Sequence, residues 1–414
     1  MLDRLIYIIK KIYSIIFSFE MIFTIFLFAG RFKGDDRFDW IPVDITLLFW
    51  IISLVIGIYV LVKNEFKFKG NNLRYFVLFL IFSIYILVSN LWTPSTIFAF
   101  EKTIIFISFS LWIFFSVSNI IATDGKRVKR FFICVTIFGI WMLIESFLNL
   151  IKSPTVSFIN TLGGNYLGVG RILGFMCCIL ITYLLFGEIK KNMKFLLLTI
   201  LVLTVYIMFS VGGRGPFIAL LFSFLPLFYY LFHFKKKSII VNKRMNILLG
   251  LFLISIIYLI YIFSTNNIPS TIRRLIVVFE QDNMGASAGL RMYYYQLGFE
   301  LWRENFFFGH GIGSWSLISS GIDSRGYPHN IIIEILVELG TVGLILFLII
   351  HIRAFYFIRT ANKIRNPISL AITVSLIFFF INALFSGDLN DNRYYYAVLA
   401  LSVFLPVKKI QINK

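Results

Sequence analysis

The chain has 414 residues, of which 59% are hydrophobic and only 14% are charged, and its mean hydropathy is +0.87. Soluble globular proteins carry about 25% charged residues, so this composition excludes a soluble domain. The net charge of +19 does not indicate nucleic-acid binding. The basic residues lie in short clusters between apolar runs, and no nucleic-acid motif accompanies them.

Apolar runs of the length that an α-helix needs to cross a bilayer recur along the whole chain. The sequence therefore predicts an all-α polytopic membrane protein with about 12 transmembrane helices. These predicted helices cover residues 12–29, 41–62, 75–92, 102–121, 131–151, 168–187, 195–210, 215–232, 246–263, 329–350, 368–385 and 394–407.

The distribution of charge predicts an orientation for these helices. Most of the 39 Lys and Arg residues lie near the two ends of the chain and in the loops that follow the even-numbered predicted helices. Because basic residues concentrate on the cytoplasmic side of membrane proteins, we expect both termini to be cytoplasmic. The expected location is a bacterial inner (plasma) membrane, where the basic loops also contact anionic lipids.

One long loop departs from the alternation of helices and short connections. Residues 264–328 separate nine predicted helices in residues 1–263 from three in residues 329–414, and would lie on the extracytoplasmic, periplasmic face. The loop contains a predicted helix at 288–304, several aromatic residues and a glycine-rich turn, and its five basic residues are all arginines. Loops of this length are usually functional or disordered, and we expect a folded cap that carries part of an active site.

The first polar group at this face is the turn Gly212-Gly213-Arg214-Gly215-Pro216 between two predicted helices. Glycine permits left-handed backbone, and Pro216 suits the first turn of the next helix. Arg214 would then lie at a helix N-terminus, where the helix dipole already favours anions. The alternative is an ordinary turn whose arginine reaches lipid headgroups.

The second polar group is Arg291, near the start of the predicted helix in the long loop. Tyr295, Gly298 and Trp302 follow at helical spacing, so one helix face combines an arginine with aromatic side chains. Such a face can stack on sugar rings, or it can pack against the helical bundle.

The third polar group is the helix predicted to open at His329, in which Gly340 and Gly343 share the histidine's stripe. The glycines would allow close helix contacts, while His329 would lie at the membrane surface. An unperturbed histidine titrates near neutral pH and is therefore a natural proton acceptor. Glu334 and Glu338 share another face, where we expect them to pair with polar groups of neighbouring helices.

These groups resemble, in composition and order, the O-antigen ligase and polymerase superfamily. The resemblance covers about residues 163–350, and the helices before residue 163 fit it by hydropathy alone. It rests on the Gly-Arg214-Gly turn, on Gly-Leu-Arg291, on the run Gly309-His-Gly-Ile-Gly-Ser314, and on the pattern His329-Asn330-x2-Ile333-x2-Leu336-x-Glu338-x-Gly340-x2-Gly343.

The resemblance implies a metal-independent glycosyltransferase of the GT-C class that needs no cofactor. Its donor would be a glycan linked to undecaprenyl pyrophosphate. Arg214 and Arg291 would bind the pyrophosphate and stabilise it as it leaves, and His329 would accept the proton of the attacking hydroxyl or orient the acceptor. Weaker candidates for binding the carrier or its sugars are Arg171, Asn330, Tyr295 and Trp302.

The resemblance leaves two activities open. A polymerase joins repeat units on the carrier, whereas a ligase transfers the finished glycan to lipid A–core. We favour a polymerase, because polymerases are more numerous and varied, and chains of this length rich in Phe, Ile, Asn and Lys are common among them. A polymerase would work with membrane lipids, a flippase and a chain-length regulator, and with no nucleic acid.

Two other classes of function stay open. A GT-C enzyme of another type would use an acidic base in its first extracytoplasmic loop, where Asp35 and Asp36 lie. A flippase or transporter is less favoured, because no internal repeat is apparent and the ionisable residues gather at one face. Polar residues that could serve an ion path are more simply explained by pairing at helix ends: they are Asp44, Glu145, Asp388, Asp391 and Arg393.

Overall fold

A computed structural model describes residues 10, 12–153, 157–235, 238–241, 244–265, 267–280, 286–361 and 366–405. Nearly all regular structure in these residues is helical. The α-helices in chain order are α1 (Phe19–Phe28), α2 (Ile45–Lys63), α3 (Gly70–Val88), α4 (Phe98–Ile105), α5 (Leu111–Asn119), α6 (Gly125–Lys152), α7 (Tyr166–Phe186), α8 (Lys191–Ser210), α9 (Arg214–Ser223), α10 (Leu225–Leu231), α11 (Met245–Ser264), α12 (Ser270–Glu280), α13 (Ala286–Glu304), α14 (Ser314–Ser320), α15 (Ile331–Ala361), α16 (Pro367–Phe385) and α17 (Arg393–Leu401).

A short antiparallel hairpin interrupts this helical order between α10 and α11. Strand β1 (Phe232–Lys235) pairs with strand β2 (Ser238–Val241) so that Phe232 lies opposite Val241 and Lys235 lies opposite Ser238. The sequence analysis placed residues 215–232 in one membrane helix and did not predict the hairpin.

Nine segments of the described chain are long and apolar enough to cross a membrane. The protein is therefore an all-α polytopic integral membrane protein, as the composition predicts. The nine segments are Ile45–Lys63, Gly70–Leu91, Phe98–Thr123, Gly125–Lys152, Tyr166–Phe186, Lys191–Ser210, Met245–Ser264, Ile331–Thr360 and Pro367–Phe385.

Three of the twelve predicted helices are shorter than expected. The run at 12–29 is helical at 12–16 and again in α1, with a break at residues 17 and 18. The Ser18 hydroxyl caps α1 by accepting a hydrogen bond from the backbone N–H of Met21 at 3.2 Å. The run at 215–232 is divided into α9, α10 and the start of β1. The run at 394–407 forms α17 and a short 3-10 turn, and its last two residues lie outside the described chain.

The chain folds as two compact units. Unit 1 comprises Met1–Ser53, Val128–Glu280 and Ile364–Phe378, and unit 2 comprises Leu54–Arg127, Gln281–Lys363 and Phe379–Lys414.

Unit 1 is built around α7, and 94% of the most apolar stretch of this helix is buried. The Asn165 side chain caps this helix by accepting from the backbone N–H of Gly168 at 2.9 Å. Small residues along α7 let its neighbours approach closely: a Cβ at Gly170 would lie 2.9 Å from Pro216 Cβ, and one at Gly174 would lie 2.2 Å from Phe378 Cζ. Pro216 belongs to α9, so α7 packs directly against the first turn of α9, which begins at Arg214.

Unit 2 has an aromatic core. Phe79 of α3 and Phe114 of α5 stack with ring centroids 4.2 Å apart, and the rings of Phe106 and Tyr396 pack edge-on to each other at 5.7 Å. A π-turn at Phe106–Ser110 joins α4 to α5. These large rings are fully buried, and burying aromatic rings of this size stabilises the packing of the helices that carry them.

The long helix α15 is broken at Gly340, which has φ 65° and ψ −166°. The loop that precedes α14 runs past the break and supplies the missing backbone partners. His310 N donates to the Val337 carbonyl at 2.8 Å, and Thr341 N donates to the Phe306 carbonyl at 3.0 Å. A break at membrane depth is tolerated only where the freed backbone groups find partners, and this loop provides them. The glycine-rich run from Gly309 is therefore a turn, as predicted.

Candidate functional site

In unit 1, the arginine turn lies against the first turn of α12. Gly212 has φ 86°, and its N–H donates to the Thr271 hydroxyl at 2.8 Å. The Thr271 hydroxyl donates in turn to the Met208 carbonyl at 2.9 Å. Arg214 is the first residue of α9, with Pro216 in the same turn, as the sequence predicts.

The side chains of two arginines bond to backbone carbonyls beside this turn. Arg214 Nη1 donates to the carbonyl of Arg274 at 3.1 Å, and Arg274 Nη1 donates to the carbonyl of Gly212. The Arg274 guanidinium also lies over the rings of Phe158 and Tyr166, at 4.7 and 5.5 Å. Like charges repel, and guanidinium groups bind phosphate bidentately, so this half-buried pair is suited to an anion with several negative oxygens.

Arg171 lies in the same unit, in the second turn of α7, and only 4% of it is exposed. Arg31 approaches the helix one turn earlier, where a Cβ at Gly168 would lie 2.7 Å from Arg31 Cδ. Several arginines therefore lie near the N-terminal ends of α7 and α9.

In unit 2, His329 has a strained backbone and an unusual environment. Its φ is 62°, a left-handed value that costs a non-glycine residue about 1–3 kcal/mol. The imidazole lies edge-on to Tyr327, with centroids 4.6 Å apart, and parallel to Tyr294 at 6.3 Å. Its Nδ1 is buried, and no hydrogen-bond partner for it is found within the described residues.

Burial lowers the pKa of His329 to about 4, and the positive charge of Arg291 lowers it further in the same direction. The sequence analysis assumed an ordinary histidine pKa, and this assumption was wrong because the aromatic surroundings desolvate the ring. His329 is thus neutral at physiological pH. Arg291 is half-buried on α13, and no hydrogen bond or ion pair joins it to another described residue.

Helix α15, which follows His329, is held by a buried ion cluster. Lys102 Nζ donates to Glu334 Oε1 at 2.6 Å and to Glu338 Oε2 at 2.7 Å, and all three side chains are fully buried. The prediction that the two glutamates pair with a neighbouring helix is confirmed. Lys102 was assigned to the end of a predicted helix and was not recognised as their partner.

The model of the protein family described as O-antigen ligase matches residues 199–348. The matched segment of the chain contains Arg214, Arg291 and His329, whereas Arg171 lies before it. No curated protein matches the chain.

The weaker site residues within the matched segment 199–348 have partners of their own. Asn330 caps α15, since its Oδ1 accepts from the backbone N–H of Ile332 at 2.9 Å. The Tyr295 hydroxyl donates to the Leu384 carbonyl at 3.2 Å. Trp302 Nε1 donates to the Phe306 carbonyl at 3.2 Å. Their role in binding carrier or sugar stays a prediction.

The structure divides the predicted site residues between the two units. Arg291, His329, Asn330, Tyr295 and Trp302 lie in unit 2, whereas Arg214 and Arg171 lie in unit 1. Helix α13 begins at Ala286 and contains the stretch predicted as a helix. Helix α15 begins at Ile331, so His329 precedes the helix that it was expected to open.

Sequence reasoning missed two arginines of the matched segment 199–348. Arg274 pairs with Arg214, and Arg325 bonds to Asp388 and Asp391, both at 3.0 Å. Burial opposes the charge of Arg325, but the two carboxylates raise its pKa above the usual arginine value. The sequence did contain a sign of these two arginines: the positive-inside rule does not account for the arginines in residues 264–328, so they called for another explanation.

Asp35 of the first loop is paired with Arg37. Asp35 accepts from Arg37 Nε at 2.7 Å and from the backbone N–H of Arg37 at 3.0 Å. The hydrogen bond from the Arg37 side chain, opposed in part by burial, lowers the pKa of Asp35. A carboxylate stabilised in this way is a weaker base, which disfavours Asp35 as the proton acceptor of another GT-C scheme. Glu145 also bonds to Arg37, at 2.8 Å, and Asp44 bonds to Lys33.

Proposed function

We propose that this integral membrane protein is a glycosyltransferase that polymerises undecaprenyl-pyrophosphate-linked oligosaccharide repeat units. The product would be O-antigen or capsular polysaccharide, formed at the periplasmic face of the inner membrane. The observation that carries the proposal is the family match over residues 199–348, which contains Arg214, Arg291 and His329, the three residues that the sequence singled out. Both termini are proposed to be cytoplasmic, as the distribution of basic residues indicates.

The reaction we propose forms one glycosidic bond and breaks one bond to phosphate. A hydroxyl of the acceptor sugar attacks the anomeric carbon of the donor, and the bond from that carbon to the pyrophosphate oxygen breaks. The electron pair leaves with undecaprenyl pyrophosphate, and the hydroxyl proton passes to His329. Arginines that bind the pyrophosphate stabilise its growing negative charge, a contribution that is large in many enzymes.

The depressed pKa of His329 suggests how substrate binding prepares the base. In the free protein the charge of Arg291 adds to burial and holds the pKa of His329 near 4. A pyrophosphate bound to Arg291 would neutralise that charge, and the pKa of His329 would rise toward the range of an effective general base. Basicity would then appear when a donor is present.

We also propose that the reaction needs no metal ion. In many phosphate-binding sites a divalent cation neutralises the leaving group. Each of the arginines concerned offers a permanent positive charge with several N–H donors: Arg214 and Arg274 as a pair within unit 1, and Arg291 separately in unit 2. These guanidinium groups suit pyrophosphate oxygens without a metal ion as bridge.

A ligase activity is the second candidate, and the description of the matched family as O-antigen ligase favours it. The donor chemistry is the same, and only the acceptor differs. A transporter of lipid-linked glycans is the third candidate, since transporters also use broken helices such as α15. A transporter would move the glycan without forming a glycosidic bond.

The test is glycan display in a bacterium deleted for this gene, resolved by gel and complemented at matched membrane levels. A single repeat unit attached to the core in the deletion strain would support the polymerase. Loss of all attached glycan, with long carrier-linked chains, would show a ligase, and absence of periplasmic repeat units would show a transporter.

Point variants in the same strain test the site. Arg291→Ala, His329→Ala and Arg274→Ala should each fail to restore polymer. Arg303→Ala and Arg273→Ala are matched controls, because both arginines are exposed and lie on the same helices as Arg291 and Arg274. Failure of the controls, or polymer from the site variants, would contradict the assignment.

A further inference from the structure

The turn Asp388–Asp391, which connects α16 to α17, contacts the chain on both sides of His329. We call it the 388–391 turn. It is well ordered by its own bonds: Asp388 Oδ1 accepts from the backbone N–H of Asp391 at 2.6 Å, and Asn392 Nδ2 donates to the Asp388 carbonyl at 2.8 Å. Asp388 is 1% exposed. A buried carboxylate of this kind is retained where it has a specific partner.

The partner on the N-terminal side is Arg325, four residues before His329. Its Nε bonds to Asp388 Oδ2 at 3.0 Å, and its Nη2 bonds to Asp391 Oδ2 at 3.0 Å. The guanidinium also lies 6.0 Å from the centre of the Tyr327 ring, which packs edge-on to His329. The ion pair therefore fixes the ring of Tyr327, one of the two tyrosine rings that pack against the imidazole of His329.

The partner on the C-terminal side is Glu334, five residues after His329. The backbone N–H of Leu389 donates to Glu334 Oε1 at 3.1 Å, and the same oxygen accepts from Lys102. Asn390 Nδ2 donates to the Lys102 carbonyl at 3.0 Å. The turn thus also fixes the first turn of α15.

His329, whose backbone is strained, lies in the sequence between Arg325 and Glu334, the two residues that the 388–391 turn binds. We call these two residues the anchors. A left-handed conformation in a residue with a side chain persists only where the surrounding contacts determine it. Within the described residues, the imidazole has ring contacts and no hydrogen bond of its own. The anchors on either side must therefore set its position.

We propose that Asp388 is a positioning residue for the transfer reaction, acting through Arg325 and Glu334 to hold the imidazole of His329. The inference rests on the proposed function, because it assumes that His329 works on the substrate. Asp388 touches neither substrate nor reacting atoms in this account. Misplacement of a catalytic group by a fraction of its hydrogen-bond distance lowers turnover without weakening substrate binding.

The first experiment compares Asp388→Asn and Arg325→Gln with wild type in purified full-length protein. We expect kcat to fall about tenfold or more with the KM for the lipid-linked donor unchanged. We also expect diethylpyrocarbonate to modify His329 several-fold faster, measured on its peptide by mass spectrometry. Glu65→Gln is the control, since it removes an exposed carboxylate that pairs with Lys67 in the same unit.

The double variant decides whether the two residues act as one unit. Asp388→Asn with Arg325→Gln should lose no more activity than the stronger single variant. Multiplied losses in the double variant, or an unchanged modification rate of His329 in the singles, would overturn the proposal. The Arg325 side chain is 55% exposed, so Arg325→Gln gives a folded test where Asp388→Asn fails to fold.

The modification experiment separates this inference from the proposed function. If the wild-type protein transfers no glycan, the proposed function fails, and the rate of His329 modification still reports whether the 388–391 turn holds the imidazole. If transfer is present and the modification rates change while kcat does not, the turn positions His329 without serving catalysis, and the inference is wrong.

Discussion

His329 combines three features that are unfavourable for an ordinary surface histidine. Its backbone is left-handed, its ring is desolvated between tyrosines, and a positive charge on Arg291 acts on it. Each feature costs free energy, and such costs concentrate at functional sites. A neutral imidazole beside an arginine without a described partner is the arrangement expected before an anionic substrate binds.

A residue-scale prediction concerns pH. A base must be unprotonated, so kcat/KM should rise as pH increases through the pKa of His329, which is near 4 in the free protein. Arg291→Gln removes a charge that lowers this pKa, and the rising limb should therefore move to higher pH. The measurement is kcat/KM against pH, with Arg303→Gln as the control. A limb that stays in place in Arg291→Gln would show that the two side chains are not coupled.

At the scale of elements, the broken helix α15 determines where the site residues of unit 2 lie. Gly340 and Gly309 approach so closely that a Cβ on either would overlap the other's backbone: one at Gly340 would lie 2.5 Å from Gly309 N, and one at Gly309 would lie 2.6 Å from Gly340 N. Both residues also have positive φ. The break in α15 therefore depends on its close contact with the loop around Gly309.

We predict that Gly340→Ala lowers the free energy of unfolding by about 2–4 kcal/mol, from backbone strain and overlap together. Gly250→Ala is the control, because Gly250 lies within α11 and no atom approaches its Cβ position within 4 Å. That control should be neutral or stabilising by up to about 1 kcal/mol. Denaturant unfolding in detergent micelles measures both. Equal stability of the two variants would show that the break is not required.

The ion cluster of Lys102 gives a second prediction at this scale. Lys102→Met leaves two buried carboxylates without their cation and should destabilise the protein by about 3–5 kcal/mol. Lys67→Met removes an exposed pair with Glu65 and should cost less than about 1 kcal/mol. Thermal unfolding in micelles would compare them. A small effect at Lys102 would mean that the glutamates are compensated in another way.

At the scale of the whole molecule, the orientation in the membrane can be tested by cysteine labelling. The three native cysteines are buried and give little background. We expect Lys67→Cys to be labelled only after the membrane is made permeable, and Gly321→Cys to be labelled in intact cells. Both positions are exposed. The opposite pattern would reverse the proposed topology.

Hydropathy and helical periodicity were enough to predict the class of fold and most membrane helices, because lipid imposes long apolar segments. They could not predict the break at Gly340, since a glycine in a helical pattern does not reveal whether it allows close packing or a left-handed turn. The Lys102 cluster was also out of reach, because Lys102 and Glu334 lie more than two hundred positions apart in sequence.

The sequence predicted which residues belong to the candidate site better than it predicted their pKa values and contacts. Arg291 and His329 were found by residue type and spacing, and the structure brings them close enough for the charge of one to lower the pKa of the other. The shifted pKa itself, the pairing of Arg274 with Arg214 and the anchors at Asp388 depend on tertiary contacts. No periodicity in the sequence carries that information.

The most direct test of the central claim is transfer by purified protein in lipid nanodiscs, supplied only with undecaprenyl pyrophosphate carrying one repeat unit and with a chelator. We expect a ladder of lengthened products, release of undecaprenyl pyrophosphate in proportion to the bonds formed, and loss of both with His329→Ala. Activity retained by His329→Ala would contradict the account, as would a wild-type protein that forms no bond from this substrate.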